Sequence, residues 1–305
     1  MRATVVAVVA ALGLLAAACG LEPVAGGDSE PPLPSTVTAA VPAPPVAPTA
    51  APASTAPATA TTSLTSTPTL SPFARPDWLG TRILPRPADL HGQALPTPPE
   101  LENRRLETLD LLPPPVGQQF VGTIGPVPLE VAARSTWREE CPVALDELAY
   151  ITVSHWGFDE EFHTGEMIVN AAWAEEIVEV FRKLHEARFP IEQMRVIRLE
   201  EIDAPPTGDG NDTTSFVCRP AVGSGNWSRH AYGLAIDINP FHNPYLKGDL
   251  VLPELASFYA VRDARHPGVI TADDVVVSAF AEIGWPWGGN WNTLKDYMHF
   301  SADGN

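Results

Sequence analysis

Residues 31–70 limit this chain more than any other stretch, because they cannot make a core. They hold 10 Pro, 10 Ala, 10 Thr and 4 Ser, and no charged residue occurs between Glu30 and Arg75. So little bulky apolar surface cannot offset the entropy of ordering the backbone. Proline favours extended polyproline geometry, so the segment reads as a semi-stiff tether. Its Thr and Ser content would also suit O-glycosylation. Folding is thereby left to the C-terminal part of the chain.

What precedes the tether reads as an export signal. Arg2 gives a positive start, Ala3 to Ala18 form an apolar run, and small residues lead to Cys19. The run is too short to span a bilayer comfortably. The stretch LLAAAC resembles a bacterial lipobox, in which the cysteine becomes lipidated. Leu often stands three residues before such a cysteine; here that place holds Ala16, with Leu15 one position further out. Lipidation of Cys19 and plain secretion are the two readings. Either puts the chain in the cell envelope or outside it: anchored on the extracellular face of the cytoplasmic membrane, or secreted. A lipid with a tether behind it would hold a folded domain off that membrane.

The formal net charge of −18 argues against nucleic acid, since phosphate binding needs a basic surface. It also argues against electrostatic adhesion to anionic lipid. Membrane contact is therefore expected through the lipid anchor only, and the chain is expected to be a monomer. With Cys19 lipidated, Cys141 and Cys218 remain. In an oxidising compartment such a pair most often forms a disulfide. The rival reading makes them zinc ligands, although neither sits in a CxxC or other close metal spacing.

The organisation follows as a leader over 1–19, a disordered linker over 20–72, an extension over 73–120 and a folded domain over 121–305. In the extension, LENRRLETLDLL predicts a short amphipathic helix before the prolines at 113–115. In the domain, YITVSHWGF (150–158) reads as a strand. GEMIVNAAWAEEIVEVFRKLHEARF (165–189) reads as a helix stopped by Pro190. QMRVIRL (193–199) reads as a strand, and LAIDINP as a short one. TADDVVVSAFAEIG predicts a helix with Thr271 and Asp274 at capping-box spacing. WPWGGNW and KDYMHFS are expected to close the chain as strands. The fold class is α+β, a small antiparallel sheet with flanking helices. No internal repeat is visible.

The chemistry concentrates in SRHAYGLAIDINP, residues 228–240. His230 precedes a turn of small residues and Asp237 lies in the strand that follows. Gly233 lets the backbone bend back, so both side chains can face one point. A catalytic zinc takes about three protein ligands and keeps one position open. His299, in KDYMHFS, is the candidate third ligand. Asp296 lies three residues earlier, where a carboxylate can take a proton from water and later deliver it to a leaving amine. Spacing alone makes this a weak signal, because many loops contain His-x6-Asp by chance.

S-R-H-A-Y-G-L-A-I-D resembles the S-x-H-x-x-G-x-A-x-D signature of the VanY-type zinc D-alanyl-D-alanine carboxypeptidases. K-D-Y-M-H-F resembles the D/E-x-x-H-F element that completes the site in that family, which also includes L-alanyl-D-glutamate endopeptidases. The resemblance spans roughly residues 120–305, with both motifs in family order. It implies zinc held by His230, Asp237 and His299, with Asp296 as general base and acid. Met298 stands where relatives often have proline, and many relatives carry glutamate in place of Asp296. Arg219 resembles the family's substrate-binding arginine, suited to clasp a substrate carboxylate in bidentate fashion; its other reading is an arginine that anchors a loop. Ser215, in the same loop, would add a hydrogen bond. A Cys141–Cys218 bridge would rigidify that loop.

Other residues attract less weight. His155 reads as a packing residue after a strand. His163 and Glu166 read as lying just before a helix that Thr164 caps, and His242 as a residue at the cleft edge. Trp285, Trp287 and Trp291 read as core, with one ring available as a wall. Ser154 and Ser228 lack partners for a serine nucleophile, and GNDTT lacks the helix that would cradle phosphate. The implied activity is zinc-dependent cleavage of peptidoglycan stem peptides, as a D-alanyl-D-alanine carboxypeptidase or an L-alanyl-D-glutamate-type endopeptidase. The reading from another class is a tethered wall-binding module with a defunct site.

Overall fold

Alternating β-branched and aromatic residues start the domain as a sheet. The computed structural model describes residues 71–85, 93–221 and 224–304. The expected leader with Cys19, and the expected linker save its last two residues, lie outside them. The strand β1 (Gly122–Pro126) leads through α1 (Leu129–Arg134) to β2 (Leu148–Trp156) and β3 (Phe162–Asn170). These strands pair antiparallel in the order β1-β2-β3, with Ile151 opposite Met167 and Val153 opposite Gly165.

Residues 162–170, which the apolar spacing assigned partly to a helix, are thus a strand. Pairing with β2 decides it, because Met167, Ile168 and Val169 are all buried there. The Asn170 side chain accepts from Ala172 N (3.1 Å) and turns the chain into α2 (Ala174–Glu186). Ile177, Val180, Phe181 and Leu184 lie three or four residues apart, so they share one helix face. That face packs on Ile151, Val153, Met167 and Val169 to make the main core. Each such side chain stabilises by about 1.5–3 kcal/mol on full burial.

The remaining strands are short. β4 (Gln193–Met194) and β5 (Asp212–Thr213) pair parallel. The strand expected over 193–199 stops at Met194, where Arg195 turns to Glu201 (2.6 Å) and Asp212 (2.7 Å). Next come β6 (Ala235–Asp237), β7 (Tyr245–Lys247), β8 (Leu250–Leu252), α3 (Ser257–Ala260) and α4 (Val275–Glu282). β9 (Lys295–Asp296) and β10 (His299–Ser301) close the described chain. β6 pairs antiparallel with β10, and β7 lies between β8 and β9. Asp274 rather than Thr271 caps α4, accepting from Val276 N (3.0 Å), while Thr271 bonds Asp273. WPWGGNW makes a 3-10 turn over Gly288–Asn290 instead of a strand. The architecture is α+β.

Residues of the 73–120 segment join the domain's packing. Leu84, Leu101 and Leu106 share an apolar cluster with Phe241, Leu255 and Tyr259. The amphipathic helix expected after residue 101 does not form, and only a 3-10 turn, Pro99–Leu101, appears. Tertiary bonds pin the chain extended. Arg104 grips Glu192 through two 2.7 Å bonds and the Asp209 carbonyl through a third of 2.7 Å. The Gln193 amide accepts from Leu109 N (3.1 Å) and donates to its carbonyl (2.9 Å), as a neighbouring strand would.

Candidate metal centre

Three short elements bring the motif residues together. His230 sits in a 3-10 turn, Arg229–Tyr232, whose cap Ser228 accepts from His230 N (3.3 Å). Gly233 ends the turn at φ +65, a left-handed conformation that suits glycine. A Cβ there would also lie 2.5 Å from Asn170 N at the end of β3. The chain reverses into β6, which ends on Asp237. In the antiparallel register His299 of β10 stands directly opposite Asp237, so the two side chains leave the same face.

The resulting contacts are close. His299 Nδ1 lies 3.0 Å from Asp237 Oδ1, and His230 Nε2 lies 3.2 Å from Asp237 Oδ2. One carboxylate thus sits between two imidazoles whose centroids are 5.2 Å apart. His230 Nδ1 donates to the Ser215 carbonyl (2.6 Å). A carbonyl only accepts, so this bond fixes the proton on Nδ1 and leaves Nε2 turned toward Asp237. Burial alone would raise the Asp237 carboxyl, yet His230 and then His299 hold it well below the ordinary carboxylate range.

Asp296 has the opposite environment. Burial, and then the charge of Asp237, push its carboxyl up to about 7, against weaker opposition from His299 and Arg219. Its Oδ1 is buried and makes no hydrogen bond within the protein. Two neighbouring carboxylates driven apart in this way can divide the work of ligand and proton carrier. A group titrating near neutrality is matched to general base and acid duty.

The donor set fits a zinc ion. One ligand atom each from His230, Asp237 and His299 lies within 4.8 Å of the others, and no other such group occurs among the described residues. Three donors sharing one ion at about 2.0–2.2 Å stand roughly 3.3–3.6 Å apart in a tetrahedral site, so the three side chains would draw together slightly on binding. Two imidazoles and a carboxylate are ordinary zinc ligands, and an imidazole steadied through its other nitrogen is the usual supporting arrangement. Cys141 and Cys218 are joined in a disulfide, which removes them as ligands.

The remaining candidates are distributed as follows. Arg219 follows that disulfide, and its Nη1 donates to the Pro220 carbonyl (3.2 Å). Ser215 is fully buried, and its hydroxyl makes no hydrogen bond within the protein. His155 and His163 face each other across β2 and β3. Burial drives His155 down to about 3, while His163 lies between Asp110 (2.9 Å) and Asp159 (3.0 Å). Glu166 is also within β3 and accepts from Arg134 (2.5 Å) and Tyr150 (2.6 Å). His242 is buried between Asn211 (3.1 Å) and the Arg104 carbonyl (2.9 Å). Trp285 is core, Trp287 Nε1 donates to the Tyr297 carbonyl (2.8 Å), and the Trp291 ring packs at 5.6 Å from His299.

Residues 222–302 match the family model described as D-alanyl-D-alanine carboxypeptidase. The matched stretch contains the three grouped residues and Asp296, and it supports a peptidase. Arg219, Ser215 and both bridged cysteines precede it. No curated protein and no solved structure matches the chain.

Sequence reasoning missed two supporting residues. One is Thr214, whose backbone exchanges bonds of 3.0 and 2.9 Å with Asp237. The other is Gly288, where a Cβ would meet the Asp296 carbonyl oxygen at 2.6 Å and its Cβ at 3.0 Å. The paired glycines of WPWGGNW were a signal for such close approach.

Proposed function

We propose that this chain is a zinc peptidase that trims peptidoglycan stem peptides in the cell envelope, of the D-alanyl-D-alanine carboxypeptidase type. The observation that carries the reading is the meeting of His230, Asp237 and His299 beside Asp296, a half-buried carboxylate whose Oδ1 is buried and unpartnered. His230, Asp237 and His299 would hold the ion. When bound, zinc supplies Lewis acidity, polarising the scissile carbonyl and acidifying water. Asp296 takes the proton from the attacking water on its unpartnered oxygen and passes it to the departing amine. Arg219 presents a guanidinium to the substrate carboxylate. The environment of Asp296 already senses its charge. Ser215 serves through its carbonyl, keeping the His230 ring in register.

We also propose attachment by a lipid on Cys19, with the Pro/Ala/Thr-rich stretch as spacer and the chain acting as a monomer. Membrane fractionation of Cys19→Ala, which should move the protein to the soluble fraction, checks the anchor.

Digestion of purified peptidoglycan, read by mass spectrometry with zinc analysis of the same sample, tests the function. Loss of one terminal alanine is the expected product. Release of whole stems would make the chain an endopeptidase on the same machinery. Stoichiometric zinc with no product at all would leave only a wall-binding module and end the enzymatic reading.

A further inference from the structure

One stretch of backbone, Thr214 to Arg219, touches most of the parts that build the metal group. Thr214 pairs with Asp237 in both directions (3.0 and 2.9 Å). The Ser215 carbonyl holds His230 Nδ1 (2.6 Å). Phe216 N donates to the Ile168 carbonyl of β3 (3.2 Å), and Val217 N to the His230 carbonyl (3.1 Å). The Arg219 carbonyl accepts from the N of Ser228 (3.2 Å), the cap of the His230 turn. The stretch therefore sets both the ring and the backbone of one ligand, and the backbone of another.

Something must set the stretch itself. β5 contributes only Asp212–Thr213 to a two-stranded pairing, and so small a ladder is weak alone. The far end is tied at Cys218. Its sulfur is bonded to Cys141, 77 residues away in sequence, and its N donates to Thr136 Oγ1 (2.9 Å). Thr136 is fully buried and belongs to the same segment as Cys141, between α1 and β2.

We propose that this double tie at Cys218, covalent to Cys141 and hydrogen-bonded to Thr136, is a positioning device for the metal group: it holds residues 214–219 in place so that the Ser215 carbonyl meets His230. The inference rests on the zinc reading above. Cys141, Cys218 and Thr136 touch neither ion nor substrate; they act through Ser215 and Val217.

The test is zinc affinity by chelator competition on the double variant Cys141→Ala, Cys218→Ala, with thermal unfolding followed in parallel. Removing support behind a ligand weakens metal binding by about 10–100-fold, and the double variant should show a loss of that size. Leu101→Ala, which empties part of the separate apolar cluster around Phe241 and Tyr259, is the control for lost stability and should keep the parental affinity. Thr136→Val leaves the disulfide intact and should weaken zinc several-fold, so the idea stays testable if the cysteine variant does not fold. Parental affinity in either folded variant, or an equal loss in the control, would overturn the proposal. Absence of zinc from the parent protein would instead overturn the metal reading and the proposal together.

Discussion

Replacing Asp296 with Asn should make the metal-free protein gain stability relative to the parent as pH rises. The carboxyl sits at about 7 in the fold instead of 3.8, because burial and Asp237 disfavour its charge. A raised acid costs nothing below its unfolded value, where both states are protonated. The cost grows as pH climbs from there and is complete above the folded value. Three units at about 1.36 kcal/mol each give a ceiling of about 4 kcal/mol. Near pH 5 less than half of it is present and near pH 8 nearly all, so the advantage of Asn should grow by about 2–3 kcal/mol between them. The buried amide has unmet hydrogen bonds of its own, but that penalty is the same at both pH values and cancels. Urea unfolding in chelator, parent against Asp296→Asn, measures the difference. With zinc restored, the variant should keep its ion and lose about 10²–10⁴-fold in turnover. A stability difference that stays flat or shrinks with rising pH would refute the burial argument. Parental turnover would refute the proton-carrying role.

Two further changes probe the supports. Gly233→Ala forces a side chain into φ +65 and a methyl to 2.5 Å from a backbone nitrogen of the main sheet. Left-handed strain of about 1–2 kcal/mol and overpacking of about 1–3 kcal/mol should add to a loss of several kcal/mol in urea unfolding, and a loss below about 1 kcal/mol would show that the turn relaxes freely. Arg104→Ala leaves the buried Glu192 carboxylate with Arg75, at 3.3 Å, as its charged partner and should cost about 3 kcal/mol in urea unfolding; Arg104→Met with Glu192→Gln should recover much of it, since the buried carboxylate is then gone.

Much of this arrangement was legible because it is local. The strand β2 declares itself through Tyr150, Ile151, Val153 and Trp156. The turn from His230 through Gly233 to Asp237 is written in consecutive residues. The strand β3 was misread because Ile168 and Ala172 also fit a helical period, and the deciding fact, a partner strand offering Ile151 and Val153, lies elsewhere in the chain. The segment after Leu101 failed for a similar reason. Its helical pattern was sound, but Arg104 gains more from Glu192 and Asp209 than a short isolated helix provides. The supports at Thr214, Ser215 and Val217 act through backbone atoms, which leave no side-chain signature. The elevated Asp296 carboxyl depends on burial and on Asp237, neither of which its own neighbours in sequence reveal.

The precision of the metal group still needs a source, because β6 and β10 contribute only three residues each to their pairing. The alternation of those strands supplies it. Ile236 and Ile238 flank Asp237, Phe300 follows His299, and all three apolar residues are buried in the main core. Phe300 stacks on Phe280 of α4 at 4.2 Å and stands opposite Ile236 in the register. Neighbouring residues of a strand point to opposite faces. Burying 236, 238 and 300 therefore obliges 237 and 299 to face the other way, toward His230. A slip of one residue would exchange the two faces and bury the carboxylate among Phe280 and Ile177. The hydrophobic effect thus fixes which way the ligands point, and the backbone bonds from residues 214–217 set what remains.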